Sequence, residues 1–333
     1  MEEEKKLYPF RFCTLKDDYS WGSEEFKLAD LGYRDSLVRE GWLAGNAISE
    51  VMDMYMDRVV GEDVFGFWGR QFPVQVKKIS VDGRMPLRVH PDDETAAQRY
   101  DFLGKEKLWF IASASASAEV LCGFSKDTDA GEVYGKCADN SIATILNSIK
   151  VKAGDFIRIK PGTPHAATGK LTIYEISESS PLDFCMCGWG EEVSTEEFDP
   201  QLNLVDALDF IDYGSFKDSG KPAVKGMLAD LSQFQVMKME LAAPLKSRSG
   251  DYDSFILYSC VKGAAAVQID VLGQKAEFKM DEGDAMLVPA ECPDFVLAPL
   301  AENTVVLETT VPKRSISDPY INPDASPVLP EDN

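Results

Sequence analysis

The sequence Arg88-Val-His-Pro-Asp-Asp-Glu94 is followed, after a short polar segment, by Gly104-Lys-Glu-Lys-Leu-Trp109. Apolar and polar residues alternate from Pro86 to His90, a pattern that indicates a β-strand. Side chains two positions apart in a strand lie on the same face, so Arg88 and His90 should point in the same direction. Residues 92–100 have the acidic first turn of a short helix, and a new strand should begin at Lys107.

The chain contains two histidines, and the other one is His165. It ends the segment Gly154-Asp-Phe-Ile-Arg-Ile-Lys-Pro-Gly-Thr-Pro-His165, in which a strand pattern runs into a Pro-Gly turn. Two histidines at the ends of β-segments, with polar residues beside them, are typical of a metal site in the mouth of a β-barrel. The sequence therefore indicates a barrel with a candidate site at His90 and His165.

A later segment, from Lys279 to Asp294, repeats the plan of residues 151–165. Both segments contain Gly-Asp, a short apolar strand, a proline turn and a polar last residue. The repetition predicts an internal duplication of a β-barrel unit. Because the second copy lacks histidine, we expect it to have a structural role.

The pattern as a whole predicts a mainly β fold with two barrel domains and short helical insertions. Apolar residues at helical spacing predict a helix over about 46–60, and a second capped helix is expected over 139–150. The expected organisation is an N-terminal barrel domain with this helical segment and the candidate site (1–195), an acidic helical connector (196–225), a C-terminal barrel domain (226–314) and a proline-rich tail (315–333).

The composition limits the classes of function. The 34 basic and 56 acidic residues give a formal charge of −22, which would repel a nucleic acid backbone. The sequence contains no run of 18 apolar residues, which a membrane-spanning helix would need. The seven scattered cysteines are typical of reduced thiols. We expect a cytoplasmic protein that binds neither nucleic acid nor membrane. The oligomeric state cannot be inferred.

The Gly-Asp … Pro-Gly-x-x-His unit resembles the second cupin motif, and the doubled unit resembles the bicupins. The chain is more specifically similar to the class I mannose-6-phosphate isomerases of the short bacterial type, over most of its length. The motifs that carry this resemblance are Phe72-Pro-Val, Val89-His-Pro-Asp-Asp-Glu94, Gly104-Lys-x-x-Leu-Trp109, the segment 154–165 and Glu175-Ile-Ser-Glu-Ser-Ser180.

The resemblance implies a double-cupin fold and an activity that interconverts mannose 6-phosphate and fructose 6-phosphate at a zinc ion held by Gln, His, Glu and His. Both family histidines are kept, as His90 and His165. Arg88 stands where the family has its glutamine, and Lys107 where it has its glutamate. Lys105 matches a substrate-contacting lysine of the family.

The family's catalytic arginine would fall near Cys185, yet no arginine lies between residues 180 and 215. Two of four metal-ligand positions and this arginine are therefore replaced. We expect the zinc-dependent activity to be impaired or lost, and the sequence leaves open whether the chain is an enzyme. If chemistry survives, Arg88, Lys105, Lys107 and His165 are the candidates to carry it.

Arg88 has no lone pair to offer a metal ion, and two cations ~4 Å apart cost about 4 kcal/mol at an effective dielectric of about 20. We therefore expect no metal cofactor. One alternative is that a one-residue bulge turns Glu106 inward, where it would complete a three-ligand zinc site with both histidines. Glu94 is a weaker substitute, because it should lie on the following helix.

Two other roles for the cationic side chains follow from their chemistry. Arg88 and Lys107, with Lys105, could bind the phosphate of a sugar phosphate or the carboxylate of a sugar acid without metal. Alternatively, Arg88 and Lys107 pair with internal acids and only hold the barrel together. The natural ligand cannot be inferred from the sequence.

Overall fold

A computed structural model of the chain describes residues 5–190, 204–218, 224–247, 252–271 and 274–313. Strands dominate and the helices are short, which confirms the mainly β fold with helical insertions. The predicted tail over 315–333 and a large part of the predicted connector lie outside the described residues. No helix in the described ranges is long and apolar enough to cross a membrane.

The elements follow one another in an order that places most helices between strands. The helices are α1 (Ile48–Tyr55), α2 (Asp57–Val60), α3 (Glu62–Trp68), α4 (Asp93–Tyr100), α5 (Ala130–Ala138) and α6 (Leu204–Ala207), with a 3-10 turn at Ile142–Thr144. The strands are β1 (Phe10–Arg11), β2 (Leu15–Tyr19), β3 (Gly22–Leu28), β4 (Val74–Arg84), β5 (Leu87–Val89), β6 (Lys107–Ala114), β7 (Glu119–Phe124), β8 (Leu146–Lys150), β9 (Phe156–Ile159), β10 (His165–Glu178), β11 (Phe184–Cys187), β12 (Met227–Asp230), β13 (Gln235–Leu241), β14 (Leu245–Ser247), β15 (Ile256–Lys262), β16 (Ala264–Val271), β17 (Gln274–Asp281), β18 (Ala285–Val288), β19 (Phe295–Pro299) and β20 (Thr304–Thr310).

The chain forms two compact units. The first, called here the histidine unit, comprises the described residues within 16–25 and 77–220, and the second, the C-terminal unit, comprises those within 1–15, 26–76 and 221–333. The predicted domain limits remain a prediction. The seven cysteines all lie in the described ranges, and none forms a disulfide.

The histidine unit is built around the long strand β10. Strand order runs β11-β5-β10-β4-β3-β2, while β6 and β7 also pair with β10, and β9 and β8 extend from them. Its interior is an apolar cluster that includes Trp109, Ile111, Ile157, Ile159 and Ile173, each less than 9% exposed. Burying such side chains stabilises the barrel by roughly 1.5–3 kcal/mol each.

The C-terminal unit contains two sheets with the strand orders β1-β18-β15-β20-β13-β12 and β14-β19-β16-β17. Their inward faces form one apolar cluster that includes Tyr258, Val267, Met286, Phe295 and Leu297. Strands β15, β18 and β20 are buried along almost their whole length, so they form the centre of this core.

The two units repeat the same turn before corresponding strands. Gly154 and Gly283 have φ angles of 90° and 93°, which an L side chain rarely adopts. Gly154 N donates to Ile111 O at 2.8 Å, and Gly283 N donates to Cys260 O at 2.8 Å. The strands that follow these turns, β9 and β18, pair with β6 and β15 respectively. These matched contacts confirm the duplicated barrel plan.

The predicted helices differ from the structure in detail. The helix predicted over 139–150 is wrong, because the chain forms a 3-10 turn and then β8 there. Strand β4 continues through Asp82 and Gly83 to Arg84, and β10 lies between β4 and β5. The helical segment over 46–60 is confirmed, but it breaks at Met56, whose φ is 48°.

Candidate functional site

Strand pairing brings the predicted site residues together inside the histidine unit. His165 begins β10 and pairs with Arg88 of β5. Lys107 begins β6 and pairs with Ser177 near the other end of β10. All of these side chains are at most 5% exposed. The grouping of Arg88, Lys107 and His165 expected from the sequence is therefore present, although the side chains are closed off from solvent.

The two histidine rings lie side by side, with their centroids 5.2 Å apart, and both residues are fully buried. Nδ1 of His165 lies 3.0 Å from the carbonyl oxygen of Thr163, an acceptor, so Nδ1 carries the proton. Nε2 of the neutral ring then holds a lone pair. The Nζ ammonium of Lys107 lies 3.3 Å from that nitrogen and donates to it.

Both histidines are held in the neutral form. Burial and then the charge of Lys107 lower the pKa of His165 to about 3. The pKa of His90 is also well below its ordinary value, through burial first and then Lys107 and His165. Neither ring nitrogen of His90 has a hydrogen-bond partner within the described ranges. His90 is thus a buried imidazole without the contact that orients His165.

Arg88 and Lys107 are paired with internal carboxylates. Nη1 of Arg88 lies 2.6 Å from Oε1 of Glu24 and 3.7 Å from Oδ2 of Asp183. Nζ of Lys107 lies 3.0 Å from Oδ1 of Asp183 and 3.6 Å from Oε2 of Glu175. Each of these charged side chains is at most 6% exposed, so the ion pairs are shielded from contact with water.

A third cation closes the network. Nζ of Lys77 lies 3.3 Å from Oε2 of Glu24 and 3.7 Å from Oε1 of Glu175. Trp109 Nε1 donates to Oε2 of Glu175 at 2.7 Å. The cations Lys77, Arg88 and Lys107 therefore balance the carboxylates Glu24, Glu175 and Asp183, which is how buried charges are retained in a protein interior.

The pKa values reflect this mutual compensation. Burial alone would raise the pKa of Glu24, but Arg88 and Lys77 hold it below its ordinary value. Burial likewise opposes the charged form of Glu175, yet Lys107 and Lys77 lower its pKa to about 2. All three carboxylates are consequently ionised at neutral pH, because the pKa of Asp183 is also well below its ordinary value.

Lys105 is a further cation in the same interior. It is 2% exposed, and its side chain forms no hydrogen bond or ion pair with any described residue. Burial lowers the pKa of Lys105 to about 7, with the charges of Lys107 and Lys77 acting in the same direction and Asp183 against it. Lys105 is thus the one site lysine whose charge is not matched by a direct partner among the described residues.

Glu106 does not join the histidines. Its carboxylate accepts a hydrogen bond from Nε of Arg158, and its backbone N donates to Oε2 of Glu178 at 2.8 Å. β6 begins at the next residue, so Glu106 and Lys107 project in opposite directions. Glu94, the other substitute considered, is exposed on α4, where it accepts from Gln98.

These side chains, as arranged, do not fit a zinc ion. Within the described residues, no group of three or more His, Cys, Asp or Glu side chains could hold a metal ion. The lone pair on Nε2 of His165 is already used by the Lys107 ammonium. A dication placed between the two imidazoles would also meet the charges of Lys107 and Arg88.

Sequence reasoning missed the acidic half of this network. Glu24 lies more than 60 positions before Arg88, and nothing in its local pattern indicates an interior partner. Asp183 follows the Glu-Ser-Ser motif and lies close to Cys185, where the family's catalytic arginine was expected. Lys77 had a weak signal, because the neighbouring β4 residues Val74, Val76 and Ile79 are apolar.

The chain is similar in sequence to proteins named mannose-6-phosphate isomerase. Mannose-6-phosphate isomerase ManA of Bacillus subtilis is 24% identical over 323 residues, covering 88% of this chain and 97% of that protein. A mannose-6-phosphate isomerase of Streptococcus mutans is 23% identical over 225 residues, covering 66% of this chain and 68% of that protein. No family model matches the chain.

Solved structures of mannose 6-phosphate isomerases have the same fold as this chain. The crystal structure of the mannose 6-phosphate isomerase from Bacillus subtilis matches 92% of this chain and 100% of its own chain, with a TM-score of 0.74 and 19% identity. A structure titled mannose 6-phosphate isomerase, holo and zinc bound, matches 92% of this chain and all of its own, with a TM-score of 0.69 and 11% identity. The double-cupin fold expected from the sequence is therefore confirmed.

Proposed function

We propose that this chain is a member of the mannose-6-phosphate isomerase family in which an internal ammonium has replaced the metal ion and zinc-dependent isomerisation is lost. Aldose–ketose interconversion needs a group that stabilises the negative charge developing on the substrate oxygen. In this chain the cations at the centre of the barrel are already neutralised by Glu24, Glu175 and Asp183.

The observation that carries the proposal is the contact between Lys107 and His165. The ammonium lies 3.3 Å from Nε2 of the ring and 3.0 Å from Oδ1 of Asp183, so it satisfies the donor atom that a metal would need. A zinc ion could enter only if Lys107 moved away, which would leave Asp183 and Glu175 with one fewer cation. We infer that these residues form a stable, internally paired interior and are not a set of metal ligands awaiting an ion.

The test uses the purified full chain, incubated with zinc and then freed of unbound metal. Metal content is measured directly, and conversion of mannose 6-phosphate to fructose 6-phosphate is followed in a coupled assay, with the Bacillus subtilis relative as positive control. We expect zinc well below stoichiometric amounts and no turnover above background. Stoichiometric zinc together with zinc-dependent turnover would overturn the proposal.

A second candidate function is metal-free binding of a sugar phosphate or sugar acid, and Lys105 is the observation that favours it. Its buried amino group has no direct partner among the described residues, while the surrounding cations and carboxylates balance one another. A phosphate or carboxylate that reached Lys105 would supply the missing counter-charge. Because the site is closed to solvent, such binding would require side chains near the barrel mouth to move.

This candidate is tested by thermal unfolding of the metal-free chain with mannose 6-phosphate and with gluconate. We expect a ligand that binds at Lys105 to raise the unfolding midpoint of the unmodified chain but not that of Lys105→Met. The matched control is Lys160→Met, which removes an exposed lysine from the same unit. Equal stabilisation of all three chains, or of none, would exclude Lys105 as the anion-binding group.

A further inference from the structure

The C-terminal unit contains a cavity of about 650 Å³ at one end of the sheet formed by β14, β19, β16 and β17. Cavities of this size hold small-molecule ligands in many proteins. Neighbouring positions on four strands form its wall, because Ser247 pairs with Phe295, and Phe295 pairs with Ile269. The lining residues on which the inference rests are Lys246, Ser247, Gln268, Ile269, Ala276 and Phe295.

The strand pairing beside the cavity has a counterpart beside the candidate site of the histidine unit. At the start of β10, His165 pairs with Arg88 of β5. At the start of β19, Phe295 pairs with Ser247 of β14 in the corresponding way. Charged side chains lie at this pairing in the histidine unit, whereas Ser247 and Phe295 line a cavity in the C-terminal unit.

A second correspondence lies deeper in each unit. Trp109 pairs with Glu175 across β6 and β10, and its Nε1 donates to Oε2 of that carboxylate at 2.7 Å. Tyr258 pairs with Glu308 across β15 and β20, and its hydroxyl donates to Oε2 of Glu308 at 2.8 Å. The ring of Tyr258 lies 6.2 Å from that of Phe295, which lines the cavity. The C-terminal unit thus retains an aromatic–carboxylate pair next to its cavity.

The chemistry of the lining indicates the class of ligand. Ala276 and Val296 are the partly exposed apolar residues of the lining, whereas Phe295 and Ile269 are each only 3% exposed. The Ser247 hydroxyl offers a hydrogen bond, while the Gln268 amide already donates to Oε2 of Glu277 at 2.8 Å. The charged lining groups are the two cations Lys246 and Lys275 and three carboxylates, those of Asp270, Glu277 and Asp294. With no excess of positive charge, a phosphate would gain little there.

We propose that this cavity binds a neutral polyhydroxylated small molecule, such as an unphosphorylated hexose. Apolar surface can pack against the C–H face of a sugar ring, while the hydroxyl groups of the sugar exchange hydrogen bonds with Ser247 and the lining carboxylates. The C-terminal unit, expected from the sequence to be structural, would then carry a binding site of its own. This inference stands independently of whether the histidine unit binds metal or catalyses isomerisation.

The test measures binding of D-mannose and D-fructose to the full chain by saturation-transfer NMR and calorimetry, with mannose 6-phosphate as the anionic comparison. We expect saturable binding of a neutral hexose. Ala276→Trp, which places an indole in the cavity, should weaken this binding at least about tenfold. The same substitution at Ala264, on the same sheet but outside the cavity lining, should leave it unchanged.

A milder variant guards against misfolding of the tryptophan variant. Ser247→Ala removes only the hydroxyl group, and we expect it to weaken hexose binding by about three- to tenfold, with the unfolding midpoint close to that of the unmodified chain. The inference is overturned if no neutral hexose binds saturably, if both lining variants bind as well as the unmodified chain, or if mannose 6-phosphate binds at this cavity more tightly than mannose.

Discussion

The ammonium of Lys107 lies 3.3 Å from Nε2 of His165, on the ring nitrogen opposite the one that donates to Thr163 O. One side chain thereby performs two tasks that a metal ion would otherwise share. It satisfies an imidazole lone pair, and it neutralises Asp183 at 3.0 Å. The amine at position 107 therefore has its partners, His165 and Asp183, within the buried interior.

The double change Arg88→Gln with Lys107→Glu should create zinc affinity. It removes two fixed cations and supplies an amide oxygen and a carboxylate beside His90 and His165, a ligand set suited to zinc. We expect zinc affinity to increase by at least about 100-fold, or ~2.7 kcal/mol. Zinc binding is measured by competition with a chromogenic chelator on the purified full chain.

The matched control carries the same kinds of change at exposed positions of the same unit, Arg99→Gln with Lys170→Glu. It alters net charge equally but should leave zinc affinity at the level of the unmodified chain. If the control gains as much affinity as the Arg88 and Lys107 variant, the effect is one of overall charge. If neither gains affinity while both remain folded, these two residues are not what prevents zinc binding.

Glu106 should not contribute to the zinc site created in this way. Its carboxylate is bound to Arg158 and faces away from Lys107, so Glu106→Gln added to the double variant should change zinc affinity less than about twofold. His165→Ala in the same background should remove most of the affinity, because it deletes a ligand. A large loss with Glu106→Gln would mean that the strand rearranges and turns Glu106 inward.

Removing one partner of the buried ion network should destabilise the histidine unit. Lys107→Met leaves Asp183 and Glu175 in the interior with one fewer cation, a change that costs about 3–5 kcal/mol when the remaining charge cannot reach water. Lys107→Met with Asp183→Asn removes the cation and one carboxylate together, and should recover at least about half of that loss. Denaturant unfolding of both variants gives the comparison.

An exposed ion pair provides the reference for that experiment. Lys126 and Glu132 are 3.2 Å apart but largely solvated, and Lys126→Met should cost less than about 1 kcal/mol. A loss for Lys107→Met as small as the loss for Lys126→Met would show that water enters the barrel and screens its charges. The description of a closed interior would then not hold.

The sequence was sufficient to predict the duplicated barrel and the grouping of Arg88, His90, Lys107 and His165, since short motifs and strand periodicity determine both. It was insufficient for Glu24, because partners that meet across a barrel share no local pattern. The helix wrongly predicted over 139–150 has a similar cause. Ile142, Ile145 and Leu146 are at helical spacing, yet all three are buried in the core of the histidine unit by a 3-10 turn and a strand.

The sequence also could not show whether Glu106 would turn inward and serve as a zinc ligand. Whether Glu106 turns inward is determined by Arg158 on the neighbouring strand, whose guanidinium holds it on the outer side. The alternative in which Arg88 and Lys107 pair with internal acids was recognised from charge alone. Its actual partners required the three-dimensional arrangement of β3, β10 and the segment before β11.

Asp30 should make the stability of the C-terminal unit depend on pH. Burial raises its pKa from 3.8 to about 6, although the Phe72 N–H that donates to it at 2.8 Å acts in the opposite direction. Between these two values the folded chain binds more protons than the unfolded chain, so the free energy of unfolding falls as pH rises from about 4 to about 6. At ~1.4 kcal/mol per pKa unit, the total decrease is at most ~3 kcal/mol.

Asp30→Asn keeps an oxygen for Phe72 N but cannot ionise, and should remove that decrease. Urea unfolding across this pH range tests it, with Asp230→Asn at an exposed position as the control. An unchanged pH dependence in Asp30→Asn would show that another group causes it.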